Sequence, residues 1–348
     1  MKKITLIIAE NNEGPQLNES LDNLLEYNNP DTFDIIVVSD GSEIPVDLDK
    51  YGDLVEHIQK PKREGVGAAF DSGAEHVITS HIMIMGSDIR FRDHGCVDKM
   101  VKLLNQDENK KSLICTTNLG INQAVGKTIH SEQLYKRYGA RLCFFLTASD
   151  LPQKGSVMDK LKNDAAVANY RNILECKWLA NPGKPITDLP SVLGAFYGVR
   201  TSWYRYIDGF QGHRYWGTLE PFISIKSWLA GGNCKITTEI ETGHLFKKRS
   251  SHTTRDCDLL YNKLAIAKIL FSKSISDYFI RYLGKNPDVT AARELVGFDK
   301  DKIQDLHDRF LKVKVRDIHW FNKKFPLKYY NLIKGYTDET RYSNSTVG

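Results

Sequence analysis

Apolar positions along the first third of the chain take two alternating forms. Short unbroken runs, ITLIIA (4–9), FDIIVV (33–38) and HIMIM (81–85), have the length and β-branched content of strands buried on both faces. Between them, Leu17, Leu21, Leu24 and Leu25 fall at helical spacing and stop at NNP. GVGAAFDSGAEHVI (65–78) predicts a small-residue helix able to lie tightly on a sheet, and DLVEHI (53–58) a short third strand. This alternation predicts an α/β fold, a mostly parallel, Rossmann-like sheet flanked by helices. Ligands of such sheets bind beyond the carboxyl ends of the strands, here residues 9–12, 39–42 and 86–88.

Residues 97–117 repeat the pattern with a helix and the strand LICTT, and 118–190 are less regular. VLGAFYGV (192–199) reads as a strand, TSWYRYI as a helix, and DGFQGHRYWG as a Gly-rich turn. EPFISIKSWLAGG (220–232) predicts an amphipathic helix stopped by two glycines, and CKITTEIETGHLFKKR a strand running into a basic loop. Beyond about residue 255 the pattern is mostly helical. An α/β domain over 1–250 with a helical, basic and aromatic extension over 251–348 is the expected organisation.

Composition adds little. Of 348 residues, 41% are hydrophobic and 26% charged, ordinary for a soluble globular chain. No stretch has the roughly 18 apolar residues that a membrane span needs. The opening MKKITLIIAENNEG has too short an apolar run for a signal peptide and suits a first core strand. Six scattered cysteines without metal spacing suggest reduced thiols, and a cytoplasmic location is expected. The net charge of +5 favours an anionic partner only weakly.

Candidate chemistry sits at the strand ends. Asp40, directly after a strand, is placed to accept hydrogen bonds from a base or a ribose, or to form an Asx turn. Arg63 and Gly65 open a helix whose N-terminus suits a diphosphate, though small residues also serve close packing. Asp88 and His244 combine one oxygen and one imidazole, a pair suited to a manganese-like ion. Trp216, Gly217 and Glu220 gather where a helix begins, and Glu220 also suits the helix dipole there.

Taken in order, these pieces resemble the GT-A glycosyltransferases, first family 2 and more closely the polypeptide N-acetylgalactosaminyltransferases. NNE (11–13), VSD (38–40) and REGVGAAFDSGA (63–74) stand where that family has its first strand end, its V-D-D and its R-x-G-L-x-x-A-R-x-x-G-A. GSD (86–88), GAFYGVR (194–200), WGTLEPFISIKSWLAGG (216–232) and TGHLFKK (242–248) follow as its metal motif, G-G-L-F strand, W-G-G-E-N segment and distal histidine. The resemblance implies a UDP-sugar donor, a divalent ion such as Mn2+ or Mg2+ on Asp88 and His244, and sugar transfer with retention. It implies donor contacts from Ala9, Asn11, Asp40, Arg63, Gly65, Ser87, Lys247 and Lys248. Trp216, Gly217 and Glu220 would line the sugar and acceptor side.

There are departures. Gly86 replaces the first aspartate of the metal motif, and the family's glutamate aligns nearer Leu219 than Glu220. No counterpart of the family's lectin domain or membrane anchor is expected. The tail KVKVRDIHWFNKKFPLKYYNLIK (312–334) carries seven Lys or Arg against one Asp, interleaved with aromatics. It suits packing on the catalytic domain, a nucleic acid, or peripheral contact with an anionic membrane. Two acceptor classes follow: a glycan, lipid-linked or protein hydroxyl, and a modified base in DNA. The non-enzyme alternative is a GT-A-like protein that binds a nucleotide sugar or nucleic acid without turnover.

Overall fold

The structure, a computed structural model, describes residues 2–122, 135–143, 174–246, 255–282 and 287–327. Lys247, Lys248 and the end of the basic tail lie outside the described residues. Elements are numbered in chain order among those described.

The first half is the expected alternation. Strand β1 (Ile4–Glu10) leads to helix α1 (Gly14–Tyr27), β2 (Phe33–Asp40), β3 (Val55–Lys60), α2 (Val66–His76) and β4 (His81–Gly86). A short β5 (Ile89–Phe91) precedes α3 (Cys96–Asn105) and β6 (Ser112–Asn122). Short strands β7 (Tyr135–Arg137), β8 (Ala140–Cys143), β9 (Glu175–Trp178) and β10 (Ile186–Asp188) come next, then β11 (Phe196–Arg200), α4 (Thr201–Tyr206), α5 (Leu219–Leu229) and β12 (Asn233–Phe246).

The main sheet has the order β10-β12-β6-β11-β4-β1-β2-β3. Strands β3, β2, β1 and β4 pair in parallel, as do β6 and β12. Strand β11 lies antiparallel between β4 and β6, so both parallel groups point the same way. Buried runs such as Ile4, Leu6, Ile7 and Ile8 explain the arrangement, because both faces of the sheet are covered. Helix α2 lies on one face so closely that a methyl at Gly73 would stand 2.5 Å from Ile7.

Helix α5 differs from its expected amphipathic form. Every residue but Glu220 is buried, Lys226 included, because the helix is covered by the sheet on one side and by later helices on the other. Those helices are α6 (Asp256–Leu270), α7 (Lys273–Tyr282), α8 (Pro287–Phe298), α9 (Lys300–Val313) and α10 (Ile318–Lys324). One apolar cluster runs from Ile7 through Phe222 and Leu264 to Phe321.

The described part of the basic tail packs against α5. Trp320 and Phe325 lie 5.9 and 5.2 Å from the Trp228 ring, and Arg316 stacks 4.1 Å over Trp320. Val315 and Arg316 donate backbone N–H groups to the Leu229 carbonyl, satisfying an end of α5 that helix geometry leaves open. Lys324 pairs with Asp188 at 2.7 Å. These aromatics are therefore committed to the fold. No described helix is long and apolar enough to cross a membrane.

Candidate active site

The carboxyl ends of β1 and β2 are tied together. Asn11 donates to the Asp40 carbonyl at 2.8 Å, and Ala9 sits half-buried between Val38 and Gly86. Glu10, buried and absent from the sequence-derived set, accepts from Ser42 at 2.6 Å and from the Glu13 N–H at 3.2 Å. Asp40 is buried, and each of its oxygens accepts a backbone N–H: Glu64 at 2.8 Å and Gly65 at 2.7 Å. Its first role is thus to anchor the loop that opens α2, a charge-assisted arrangement. Each oxygen keeps a further lone pair for a ligand.

Gly65 adopts φ +112°, and a methyl there would collide with the Tyr215 backbone at 2.2 Å. Val66 donates to the Tyr215 carbonyl at 2.9 Å. The room that this glycine leaves is filled by the chain itself. Arg63 stacks over the Tyr215 ring at 5.4 Å, with Arg214 at 5.4 Å and Arg255 at 5.7 Å around the same ring.

The turn after β4 brings Asp88 and His244 together. Strand β5 pairs antiparallel with β12, Ile89 facing His244, and the Leu245 N–H donates to the Asp88 carbonyl at 3.0 Å. His244 Nε2 stands 3.3 Å from Asp88 Oδ1, both side chains partly exposed. Adjacent ligands about 2.1 Å from an octahedral ion stand about 3 Å apart, so the pair fits two neighbouring positions on one ion. Among the described residues no third Asp, Glu, His or Cys completes a cluster. A methyl at Gly86 would lie 3.0 Å from Asp88 Oδ1, so the missing aspartate would have pointed into this group.

Behind the pair, buried Ser87 offers its carbonyl to Ser20 at 2.5 Å, and Ser20 also accepts from Arg90. Arg90 is buried and pairs with Glu19 at 2.9 Å. Nothing in the local pattern marks Arg90 as the support of this turn.

Glu220 occupies the first turn of α5, half-buried, where burial raises its carboxyl above the usual range and the His244 charge works the other way. Gly194 makes the room: a methyl there would meet Glu220 Oε1 at 2.6 Å. The preceding loop is held by Asn262 on α6, which accepts from the Arg214 N–H and donates to the Arg214, Trp216 and Gly217 carbonyls. His213 caps the same loop on the Gly217 carbonyl at 2.7 Å, and burial lowers it to about 4. Trp216 leaves 51% of its surface exposed beside this loop.

Comparison with known proteins matches residues 5–163 to Glycosyl transferase family 2. Over 144 residues the chain is 24% identical to "Probable N-acetylgalactosaminyltransferase 8" of Caenorhabditis elegans, covering 40% of this chain and 32% of that protein. Its fold matches that of GalNAc-T7, solved with UDP, GalNAc and Mn2+, at a TM-score of 0.64 and 16% identity. The chain has the GT-A fold, and its first half resembles the family 2 glycosyltransferases. The fold match covers 93% of this chain and 57% of GalNAc-T7, so the chain spans less than two thirds of either relative.

Proposed function

We propose that the protein moves a sugar from a UDP-sugar to a hydroxyl acceptor with retention of configuration, using a divalent ion such as Mn2+. The observation that carries this reading is the Asp88–His244 pair, set 3.3 Å apart at the carboxyl ends of the parallel strands. GalNAc-T7, similar in fold, is solved with UDP, GalNAc and Mn2+.

Asp88 and His244 would hold the ion, which neutralises diphosphate charge when bound. Arg63, with Arg214 and Arg255 close by, offers guanidinium groups to the diphosphate. Asp40 and Asn11 face the nucleoside from the ends of β2 and β1. Glu220 binds a sugar or acceptor hydroxyl, and the exposed Trp216 ring offers an apolar face to a sugar. In the reaction the bond from the anomeric carbon to the diphosphate oxygen breaks. A bond to the acceptor oxygen forms on the same face, and the acceptor proton passes to the leaving diphosphate. No side-chain base is needed. Lys247 and Lys248 belong to this reading as further diphosphate contacts, as does a division of the chain near residue 250. A cytoplasmic setting is supported by free thiols at Cys96, Cys115, Cys176, Cys234 and Cys257.

For the acceptor, a glycan or protein hydroxyl is favoured over a DNA base, because Trp320, Phe321 and Phe325 pack on the fold. The second reading, a binding protein without turnover, draws on Gly86 and the two-residue ligand set. Turnover of UDP-GalNAc and UDP-GlcNAc by the purified protein, with and without Mn2+, separates the two. Metal-dependent UDP release that disappears in Asp88→Ala supports the enzyme. UDP binding without release in either condition supports the binding protein. The anomeric form of the product, read by proton NMR, tests retention.

A further inference from the structure

Away from this site, a cavity of about 280 Å³ opens between the turn after α4 and helix α9. Ile207, Leu306 and Phe310 form apolar wall. At roughly 30 Å³ per water, it has the volume of about nine waters. Its charged lining is three cations, Lys226, Arg309 and Lys312, against one acid, Asp208. Arg309 engages that acid at 3.1 Å and reaches Asp305, outside the cavity, at 3.1 Å.

The other two cations are under-engaged. Lys226 is 2% exposed, and its ammonium donates to the carbonyls of Gly209 at 3.0 Å and Asp208 at 3.3 Å. The ammonium also stands 4.4 Å over the Phe222 ring, so two carbonyls and a ring surround it, and no carboxylate is in ion-pair contact with it among the described residues. Burial lowers Lys226 to about 8, and the charge of Asp71, itself bound to the Tyr204 hydroxyl and the Phe210 N–H, opposes this. Lys312 stands exposed at the rim, outside any ion pair recorded among the described residues. A buried cation held only by neutral groups favours an anion in the adjoining space.

We propose that this cavity binds a small amphipathic anion, a carboxylate or phosphomonoester with an apolar body of about eight carbons. Its head would lie between Lys226 and Lys312 and its body against Ile207, Leu306 and Phe310. The site joins the sheet-bearing part of the chain to α9, and its occupant would tighten that junction. It stands independently of the glycosyltransferase reading.

The test uses the full chain with octanoate and octyl phosphate as probes, and octanol and inorganic phosphate as controls, by calorimetry and thermal melting. Both amphipathic anions should bind and raise Tm by about 2 °C or more at saturation. Octanol and inorganic phosphate should bind at least about tenfold more weakly, and Lys312→Gln should weaken octanoate by about tenfold. Lys226→Met should abolish binding; if it does not fold, the exposed Lys312→Gln decides alone. Octanol binding as tightly as octanoate, an unchanged affinity in Lys312→Gln, or no rise in Tm would overturn the proposal.

Discussion

Asp88 and His244, from opposite halves of the chain, stand 3.3 Å apart because β5 and β12 pair side by side. The shared strand pairing fixes both residues, so the site depends on the two acting together. Calorimetric titration with Mn2+ should show Asp88→Ala and His244→Ala each losing more than about tenfold in affinity. An unchanged affinity in either variant would remove that residue from the site.

Gly86 offers a gain-of-function test. Its backbone needs no positive φ, and a methyl there meets only Asp88 Oδ1 at 3.0 Å and two contacts beyond 3.4 Å. Gly86→Asp should therefore fold and add a third ligand, a second oxygen, raising Mn2+ affinity by about tenfold or more. The same titration, run beside a melting curve, checks both halves of the expectation.

Two glycines should respond oppositely to alanine. At Gly65 both the φ of +112° and the 2.2 Å approach of Tyr215 forbid a side chain. Gly65→Ala should cost more than about 4 kcal/mol or prevent folding. Gly297, within α8, has nothing within 4 Å, and Gly297→Ala should stabilise by about 0.5–1 kcal/mol. Urea denaturation of the two variants gives the comparison.

Burial raises Asp71 to about 6 from an ordinary 3.8. A folded-state value above the unfolded one means that the neutral form is favoured in the fold. The contribution is therefore full at low pH and disappears as pH rises through 6. Asp71→Asn keeps an oxygen for Tyr204 and Phe210 but cannot ionise. Wild-type stability minus that of the variant should fall, between pH 4.5 and 7.5, by about 2 kcal/mol. Urea midpoints across that range provide the test, and a flat difference would show that Lys226 holds Asp71 charged.

The sheet was legible because β1, β2 and β4 are unbroken apolar runs, and the Gly73 face of α2 has the small residues that close packing needs. Strand direction was not. VLGAFYGV looks like any buried strand, and its antiparallel placement depends on connections far outside it. Helix α5 was misread as amphipathic because Lys226 counts as polar in a pattern, whereas two carbonyls receive its ammonium in the fold. Motif order paired Asp88 with His244, and the fold brings them within 3.3 Å. Asn262, which holds three carbonyls of the 214–217 loop, sits in an unremarked helix, and its hydrogen bonds reach back about 46 positions. The Tyr215 backbone against Gly65 was equally hidden, since a sequence shows that a glycine leaves room but not what enters it.

The position of β12 has a consequence for biosynthesis. His244 lies near the end of the last strand to join the sheet, long after β4 has left the ribosome. A growing chain halted before that strand can already pair β1, β2 and β4, yet it holds only the Asp88 half of the proposed ion site. An ion held by the proposed pair would thereby be reserved for chains whose sheet is complete.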